Sequence, residues 1–156
     1  MISTIKQGDY FQPIDDLKAP IHIIGVGAIG STLATMLARM GVQELNIYDI
    51  DQVEMKNVCN QEYFDTHIGL EKVDAIYEML SFINPGIKVK INREGWKPGT
   101  RLSGYVFMCV DNIDLRRQIV EDNIYNKYIK AMFDFRMRLT DAQHYAADFK
   151  NLDDLK

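Results

Sequence analysis

The chain has 156 residues, of which 47% are hydrophobic, and this is enough to bury the core of one ordinary globular domain. The formal net charge of −4 and the lack of a basic run argue against a nucleic-acid partner, and no apolar run is long enough to predict a membrane span. The N-terminus lacks the apolar core of a signal peptide, and Cys59 and Cys109 form no Cys-x-x-Cys pair, so we expect a cytoplasmic protein.

Composition along the chain predicts a simple domain organisation. Residues 1–20 are polar and aperiodic and contain two prolines, which predicts an N-terminal arm. Residues 21–150 alternate apolar strands with amphipathic helices and are predicted to form one domain. Residues 151–156 are predicted to be a polar tail.

The first predicted strand, residues 21–24, leads into a Gly-x-Gly-x-x-Gly turn and a helix predicted over residues 29–40. This order is typical of a nucleotide-binding βαβ unit. Gly25 permits the tight turn, Gly27 lets a phosphate approach the backbone, and Gly30 lets the helix pack on the strand. The free N–H groups at the start of the helix favour an anion.

The second predicted strand, residues 44–49, ends in the acidic sequence Asp49-Ile50-Asp51. Asp49 follows Gly30 at about the 20-residue spacing at which a carboxylate accepts hydrogen bonds from ribose hydroxyls. The alternative is that Asp49 only caps the following turn. A ribose contact would fit a nicotinamide dehydrogenase equally well.

The later elements continue the alternation of strand and helix. An irregular stretch is predicted over residues 52–68, and helices and strands are predicted over residues 69–83, 88–92, 104–110, 113–128 and 129–135. This pattern predicts an α/β, Rossmann-like fold with a largely parallel sheet and helices on both faces. In such sheets the ligand binds outside the carboxyl ends of the strands.

Several short motifs fall at those strand and helix ends, and their order is informative. They are Asp49-Ile50-Asp51, residues 57–61 (Asn-Val-Cys-Asn-Gln), Gly69 with Lys72, Asn84-Pro85 and Asp111-Asn112. Over residues 21–135, this combination resembles the E1-like adenylating superfamily, the ThiF and MoeB group. Those enzymes activate the C-terminus of ubiquitin-like or sulfur-carrier proteins.

The resemblance implies an ATP site with Mg²⁺, in which Lys72 and Asp111 are catalytic and Asp111 holds the metal ion. The implied nucleotide-binding residues are Gly25, Gly27, Ala28, Ile29, Gly30, Asp49, Asp51, Asn57, Gln61, Lys72, Asp111 and Asn112. Simpler roles stay open for several of them. Lys72 would be a solvated helix lysine, Asn57 and Gln61 would satisfy loop backbone groups, and Asp111-Asn112 would cap the next helix.

The function implied is that of an ATP-dependent adenylyltransferase domain, spanning residues 21–150, that acts on the C-terminal tail of a carrier protein. The resemblance also implies a homodimer. From the net charge and the lack of a long apolar run, we expect neither nucleic acid nor membrane as a partner. Two alternatives are an NAD-dependent oxidoreductase domain, which would lack an evident catalytic residue, and a non-catalytic nucleotide-binding scaffold.

The chain departs from the family pattern in two respects. Asn60 replaces an arginine that touches phosphates in the family, and Lys56 and Arg116 are candidates to supply that charge, although Arg116-Arg117 is predicted to be a solvated helix face. The chain is also shorter than family members, so we expect a fragment or a minimal variant. Residues 133–147 are predicted to begin the second half of the family fold as a strand pair, with Arg136 and Arg138 either facing ligand or simply exposed.

Overall fold

A computed structural model describes residues 18–137, 140–149 and 151. The described residues form a six-stranded sheet in the order β3-β2-β1-β4-β5-β6. β1 to β5 are parallel, and β6 pairs antiparallel with β5. The strands are β1 (Ile21–Ile24), β2 (Glu44–Tyr48), β3 (Lys88–Asn92), β4 (Gly104–Met108), β5 (Ile129–Met137) and β6 (Ala142–Asp148).

Four α-helices connect the strands within the described ranges. They are α1 (Ala28–Arg39), α2 (Met55–Val58), α3 (Lys72–Ile83) and α4 (Ile113–Asn123), and a 3₁₀ turn covers Asp65–His67. None of these helices is long and apolar enough to cross a lipid bilayer.

The core lies on both sides of the sheet because alternate strand residues point to opposite faces. On one face Ile23 and Ile47 pack in the same cluster as Leu37 of α1 and Ile76 of α3. The residues of the opposite face, which include Ile24 and Val106, pack with Ile119 of α4. The predicted fold class, a Rossmann-like sheet with helices on both faces, is therefore confirmed.

The start of α3 differs from its predicted position at residue 69. Gly69 has a positive φ of 89°, and Gln52 forms an antiparallel bridge with Glu71. The Lys72 N–H donates to the carbonyl oxygen of Asp51 (2.9 Å), so the helix begins only at Lys72. The preceding stretch, predicted to be irregular, contains α2 and the 3₁₀ turn.

α4 ends at Asn123 and not near residue 128, because a turn stabilised by asparagine side chains follows it. The Asn126 N–H donates to the Asn123 carbonyl oxygen (2.8 Å), and Asn126 Nδ2 donates to Asn123 Oδ1 (2.8 Å) and to the Leu102 carbonyl oxygen (3.0 Å). The predicted strand pair over residues 133–147 is present as β5 and β6. The predicted arm, apart from residues 18–20, most of the predicted tail, and Arg138 lie outside the described residues.

Candidate functional site

The carboxyl ends of β1, β2, β4 and β5 meet around a cleft of about 250 Å³. The cleft is lined by Gly25, Gly27, Ala28, Ile29, Asp49, Gln61, Lys72, Cys109, Val110, Asp111, Arg116, Phe135 and Met137. Most of the residues predicted to bind a nucleotide are thus brought together. Four of them, Gly30, Asp51, Asn57 and Asn112, are not part of this lining.

The three glycines of the loop differ in what surrounds them. A Cβ on Gly30 would lie 1.9 Å from the Gly25 carbonyl oxygen, and a Cβ on Gly25, whose φ is 91°, would lie 2.9 Å from Val110. A Cβ on Gly27 would meet no atom of the described residues within 4 Å. Packing within the protein therefore accounts for the glycines at positions 25 and 30, whereas Gly27 is open on the side where a Cβ would lie.

The N-terminus of α1 opens into the cleft. Its N-cap is Gly27, and no side chain of the described residues caps its first turn. Ala28 and Ile29, the first two residues of the helix, line the cleft. Their N–H groups and the positive end of the helix dipole make this a favourable place for a phosphate.

Asp49 performs the turn-capping role that was left open and retains capacity for a ligand. Its Oδ2 accepts the Val26 N–H (2.7 Å) and its Oδ1 accepts the Asp51 N–H (2.9 Å). Burial raises the pKa of the Asp49 carboxyl, and these two hydrogen bonds and the charge of Lys72 act in the opposite direction. A carboxylate has about four lone-pair sites, so two remain for ribose hydroxyls.

Lys72 is not a solvated helix lysine. Its side chain is only 8% exposed, and Nζ contacts Asp51 Oδ2 at 2.9 Å, whereas the Asp51 side chain is 61% exposed. The ammonium group of Lys72 therefore lines the cleft, and the exposed Asp51 carboxylate contacts it from the solvent side. A buried cation beside the start of α1 suits a polyanionic ligand.

Tyr63 is a structural residue of the site that the sequence analysis missed. Its hydroxyl donates to the Val26 carbonyl oxygen (2.6 Å) and lies 3.4 Å from that of Lys72, so it connects the glycine loop to α3. Burial, together with the negative charges of Asp49 and Asp51, raises its pKa. The nearby motif over residues 57–61 was the only signal in the sequence that could have drawn attention to it.

Asn57 and Gln61 occupy different positions. Asn57 is buried and its Oδ1 accepts the Glu54 N–H (2.8 Å), which is the backbone-satisfying role left open in the sequence analysis. Gln61 lines the cleft, and its Oε1 is buried without a hydrogen-bond partner among the described residues. An unpaired buried polar atom is costly, so a ligand that donates a hydrogen bond to Gln61 Oε1 would remove that cost.

Asp111 and Asn112 follow β4, and their side chains have different surroundings. Asn112 Oδ1 accepts the Leu115 N–H (3.0 Å) and caps α4. Asp111 is exposed and lines both the cleft and an adjoining cavity of about 490 Å³. Cys109 also lines the cleft, but burial raises its pKa to about 12, so its thiol stays neutral at physiological pH.

The prediction of a solvated Arg116-Arg117 face is wrong for Arg116. The Arg116 side chain is 7% exposed, whereas that of Arg117 is 67% exposed. Arg116 lines the cleft and donates to backbone carbonyl groups of β5 and of the residues that end β4, which a local sequence pattern does not reveal. Lys56, the other candidate cation, is 72% exposed, pairs with Glu54 (3.0 Å) and lies outside the cleft lining.

Residues 15–133 match the sequence profile of the ThiF family. The chain belongs to the ThiF family. Among curated relatives, ubiquitin-like modifier-activating enzyme 5 of Drosophila willistoni is 32% identical over 117 residues. That alignment covers 64% of this chain but only 29% of the relative, so this ThiF chain spans less than a third of the relative's length.

Solved structures show the same fold. The E. coli tRNA N6-threonylcarbamoyladenosine dehydratase TcdA superposes with a TM-score of 0.72 at 23% identity, covering 82% of this chain and 56% of TcdA. A crystal structure of TcdA in complex with ATP gives a TM-score of 0.70 at 23% identity, covering 83% and 60% of the two chains. These likenesses show the fold of the ThiF domain.

Proposed function

We propose that this ThiF domain binds ATP and transfers its adenylyl group to the C-terminal carboxylate of a ubiquitin-like or sulfur-carrier protein. The observation that carries the proposal is the cleft itself. The open position at Gly27, the N-terminus of α1, the buried ammonium of Lys72 and the unpaired Gln61 oxygen all face one cavity. Relatives that include a ubiquitin-like modifier-activating enzyme, and an ATP complex of TcdA, support the same chemistry.

The reaction requires little covalent chemistry from the protein. A carboxylate oxygen of the carrier attacks the α-phosphorus of ATP, the bond from that phosphorus to the β-bridging oxygen breaks, and pyrophosphate leaves. The nucleophile is already ionised at neutral pH, so no general base is needed. The α1 N-terminus and Lys72 would bind the phosphates and Asp49 would orient the ribose, which are contributions of position and charge.

Mg²⁺ belongs to the proposal, and the donor set fits it. Asp111 presents an exposed carboxylate at the edge of the cleft, and Mg²⁺ in nucleotide sites takes one or two carboxylates and keeps several waters. The described residues contain no cluster of three or more His, Cys, Asp or Glu side chains, which is the arrangement a tightly held structural metal would require. When bound with ATP, the ion would neutralise phosphate charge.

The proposal includes a homodimer as the working form, as the family resemblance implies, in the cytoplasmic setting that the two cysteines suggest. Sedimentation velocity of the purified chain at several concentrations tests the assembly. A dimeric species at micromolar concentration is expected, and a monomer at every concentration would contradict this part of the proposal without affecting the nucleotide site.

Calorimetric titration of the full chain with ATP and Mg²⁺, and in parallel with NAD⁺, tests the nucleotide assignment. ATP with Mg²⁺ should bind more tightly than NAD⁺, and both Lys72→Ala and Asp111→Ala should weaken ATP binding. ATP–pyrophosphate exchange that depends on an added carrier protein tests the adenylation step. Preference for NAD⁺ would overturn the proposal, whereas ATP binding without exchange would leave only a nucleotide-binding scaffold.

A further inference from the structure

The Arg116 guanidinium joins two strands beside the cleft. It donates to the carbonyl oxygens of Met108 (3.1 Å) and Val110, where β4 ends, and to that of Phe135 in β5 (2.7 Å). It also forms an ion pair with Asp134 of β5. One planar cation thus donates hydrogen bonds to three backbone carbonyls and pairs by charge with a carboxylate.

Asp134 keeps this arrangement in place. Its side chain is 10% exposed, and its second oxygen, Oδ2, accepts a hydrogen bond from Arg136 Nε (2.8 Å) and forms an ion pair with Arg136 Nη2 (2.6 Å). A buried carboxylate is costly without a compensating charge, so Asp134 holds both arginines to their positions. Arg116 is therefore fixed from β4, from β5 and by its own helix.

Asp111 directly follows Val110 in the chain, so a contact that fixes the Val110 carbonyl also restricts the backbone of Asp111. Arg116 holds the Val110 carbonyl on one side of Asp111, and Asn112 on the other side caps the helix that carries Arg116. Side-chain hydrogen bonds thus fix both ends of the loop between β4 and α4. Arg116 and Asp111 both line the cleft and the adjoining cavity.

We propose that Arg116 is a positioning residue of the nucleotide site, which holds the loop so that the Asp111 carboxylate faces the metal-bound phosphates. This inference rests on the proposed function. Lysine at position 116 would keep the charge, but an ammonium is a compact point donor and does not span the carbonyls of two strands. Arg117, the next residue of the same helix and 67% exposed, offers a matched control for the same substitution.

Wild type, Arg116→Lys, Arg117→Lys and Asp111→Asn are titrated with ATP by calorimetry, once in EDTA and once in Mg²⁺. Mg²⁺ should increase the ATP affinity of Arg116→Lys by about tenfold less than it increases that of wild type, because residues that orient a metal ligand typically contribute at least tenfold to metal affinity. The affinity of Arg116→Lys in EDTA should fall by much less than tenfold, and Arg117→Lys should match wild type in both conditions. Combining Arg116→Lys with Asp111→Asn should cost no more than Asp111→Asn alone.

Equal losses with and without Mg²⁺, or no loss at all, would overturn the proposal, because a merely structural arginine would not act through the metal. Amide hydrogen exchange of the peptide over residues 108–115 gives a readout that does not depend on ATP. It should accelerate in Arg116→Lys and not in Arg117→Lys, and unchanged exchange would also overturn the proposal.

The experiment also separates failure of ATP binding from failure of a variant to fold. If wild type fails to bind ATP, the proposed function fails, and hydrogen exchange alone decides whether Arg116 fixes the loop. If Arg116→Lys does not fold, Asp134→Asn removes the buried partner with little change of volume. It should show the same selective loss of the Mg²⁺ effect, and a full Mg²⁺ effect in that variant would overturn the proposal.

Discussion

Gly27 and Gly30 lie in the same loop, but a methyl group added to each would meet different surroundings. At Gly27 it would meet no atom of the described residues within 4 Å, and at Gly30 it would meet the Gly25 carbonyl oxygen at 1.9 Å. We therefore expect Gly27→Ala to fold normally and to lose ATP affinity by about tenfold or more, which is at least roughly 1.4 kcal/mol of binding free energy. Calorimetry with ATP and Mg²⁺ measures this loss.

Gly30→Ala is the matched comparison. Overpacking of a tight contact typically costs about 1–3 kcal/mol, so this variant should lower the free energy of unfolding by that amount in urea denaturation. Gly27→Ala replaces the N-cap of α1 and should cost no more than about 1 kcal/mol in the same measurement. A Gly27→Ala protein that keeps full ATP affinity would show that phosphate does not approach this backbone.

Substitution of Lys72 should also affect ATP affinity much more than the free energy of unfolding. Lys72→Met removes the ammonium but leaves Asp51, which is 61% exposed and therefore stays solvated. The free energy of unfolding should fall by no more than about 1 kcal/mol, because a pair with one exposed partner is weak. ATP affinity should fall by about tenfold or more, because a charge-assisted bond to phosphate contributes roughly 1.5–3 kcal/mol.

Lys90→Met serves as the control for Lys72→Met. Lys90 also pairs with a carboxylate, Glu44 at 2.8 Å, but it lies on β3 and its side chain is 70% exposed. Its loss should leave ATP affinity unchanged in the same titrations. If the two variants weaken ATP binding equally, the effect comes from the net charge of the chain and not from the cleft.

The sequence could predict those residues of the site whose role depends on the local backbone. The spacing of the glycines and the position of Asp49 after a strand identify groups that the fold carries into the cleft. Arg116 could not be assigned in this way, because the carbonyl groups that bind it come partly from β5, about 20 residues along the chain. Burial of Lys72 is likewise a result of tertiary packing and not of its helix position.

At the scale of elements, strand and helix types were predictable and several ends were not. β3 has the predicted bounds, whereas α3 starts late because Gly69 has a positive φ and a β-bridge precedes the helix. α4 ends early because Asn126 finds partners in Asn123 and in Leu102, which belongs to a different loop. Hydrophobic periodicity fixes which segments are helical, but side-chain hydrogen bonds fix where they stop.

The pairing of β1 with β2 buries a histidine and makes stability dependent on pH. His22 is 4% exposed, its Nδ1 lies 2.9 Å from the Tyr48 hydroxyl, and its Nε2 is buried with no partner in the described part of the chain. Burial, assisted by the charge of Lys90 and opposed by that of Glu44, lowers the pKa of His22 to about 4. An unfolded histidine titrates near 6.5.

The sign follows from these two pKa values. Above pH 6.5 the imidazole is neutral in both states, and between pH 6.5 and 4 only the unfolded chain takes up the proton, so stability falls as the pH falls. Through His22 alone, the free energy of unfolding should decrease by about 2 kcal/mol between pH 7 and pH 5. Urea denaturation of wild type and His22→Gln at both pH values isolates this contribution from that of the carboxylates. Equal decreases in the two proteins would contradict the assignment.

At the scale of the whole molecule, the cleft draws its lining from both halves of the sheet. The β1–α1 loop, the loop after β2, α3, the β4–α4 loop, α4 and β5 all contribute residues to it, and both clusters of the core include residues of these strands and helices. A ligand that contacts them together binds only the folded chain. Binding and global stability are then linked by mass action.

Because of this linkage, a bound nucleotide should raise the stability of the whole chain. ATP with Mg²⁺ at 100 times its dissociation constant should stabilise the chain by about 2.7 kcal/mol. For a chain of this size, that corresponds to a rise in Tm of roughly 5–10 °C. Thermal unfolding followed by circular dichroism measures the rise, and NAD⁺ at the same concentration should give a much smaller one. Gly27→Ala, with about tenfold lower affinity, should lose about half of the ATP effect. A larger rise with NAD⁺ than with ATP and Mg²⁺ would favour the oxidoreductase alternative, because it would show that the cleft binds the dinucleotide more tightly than ATP.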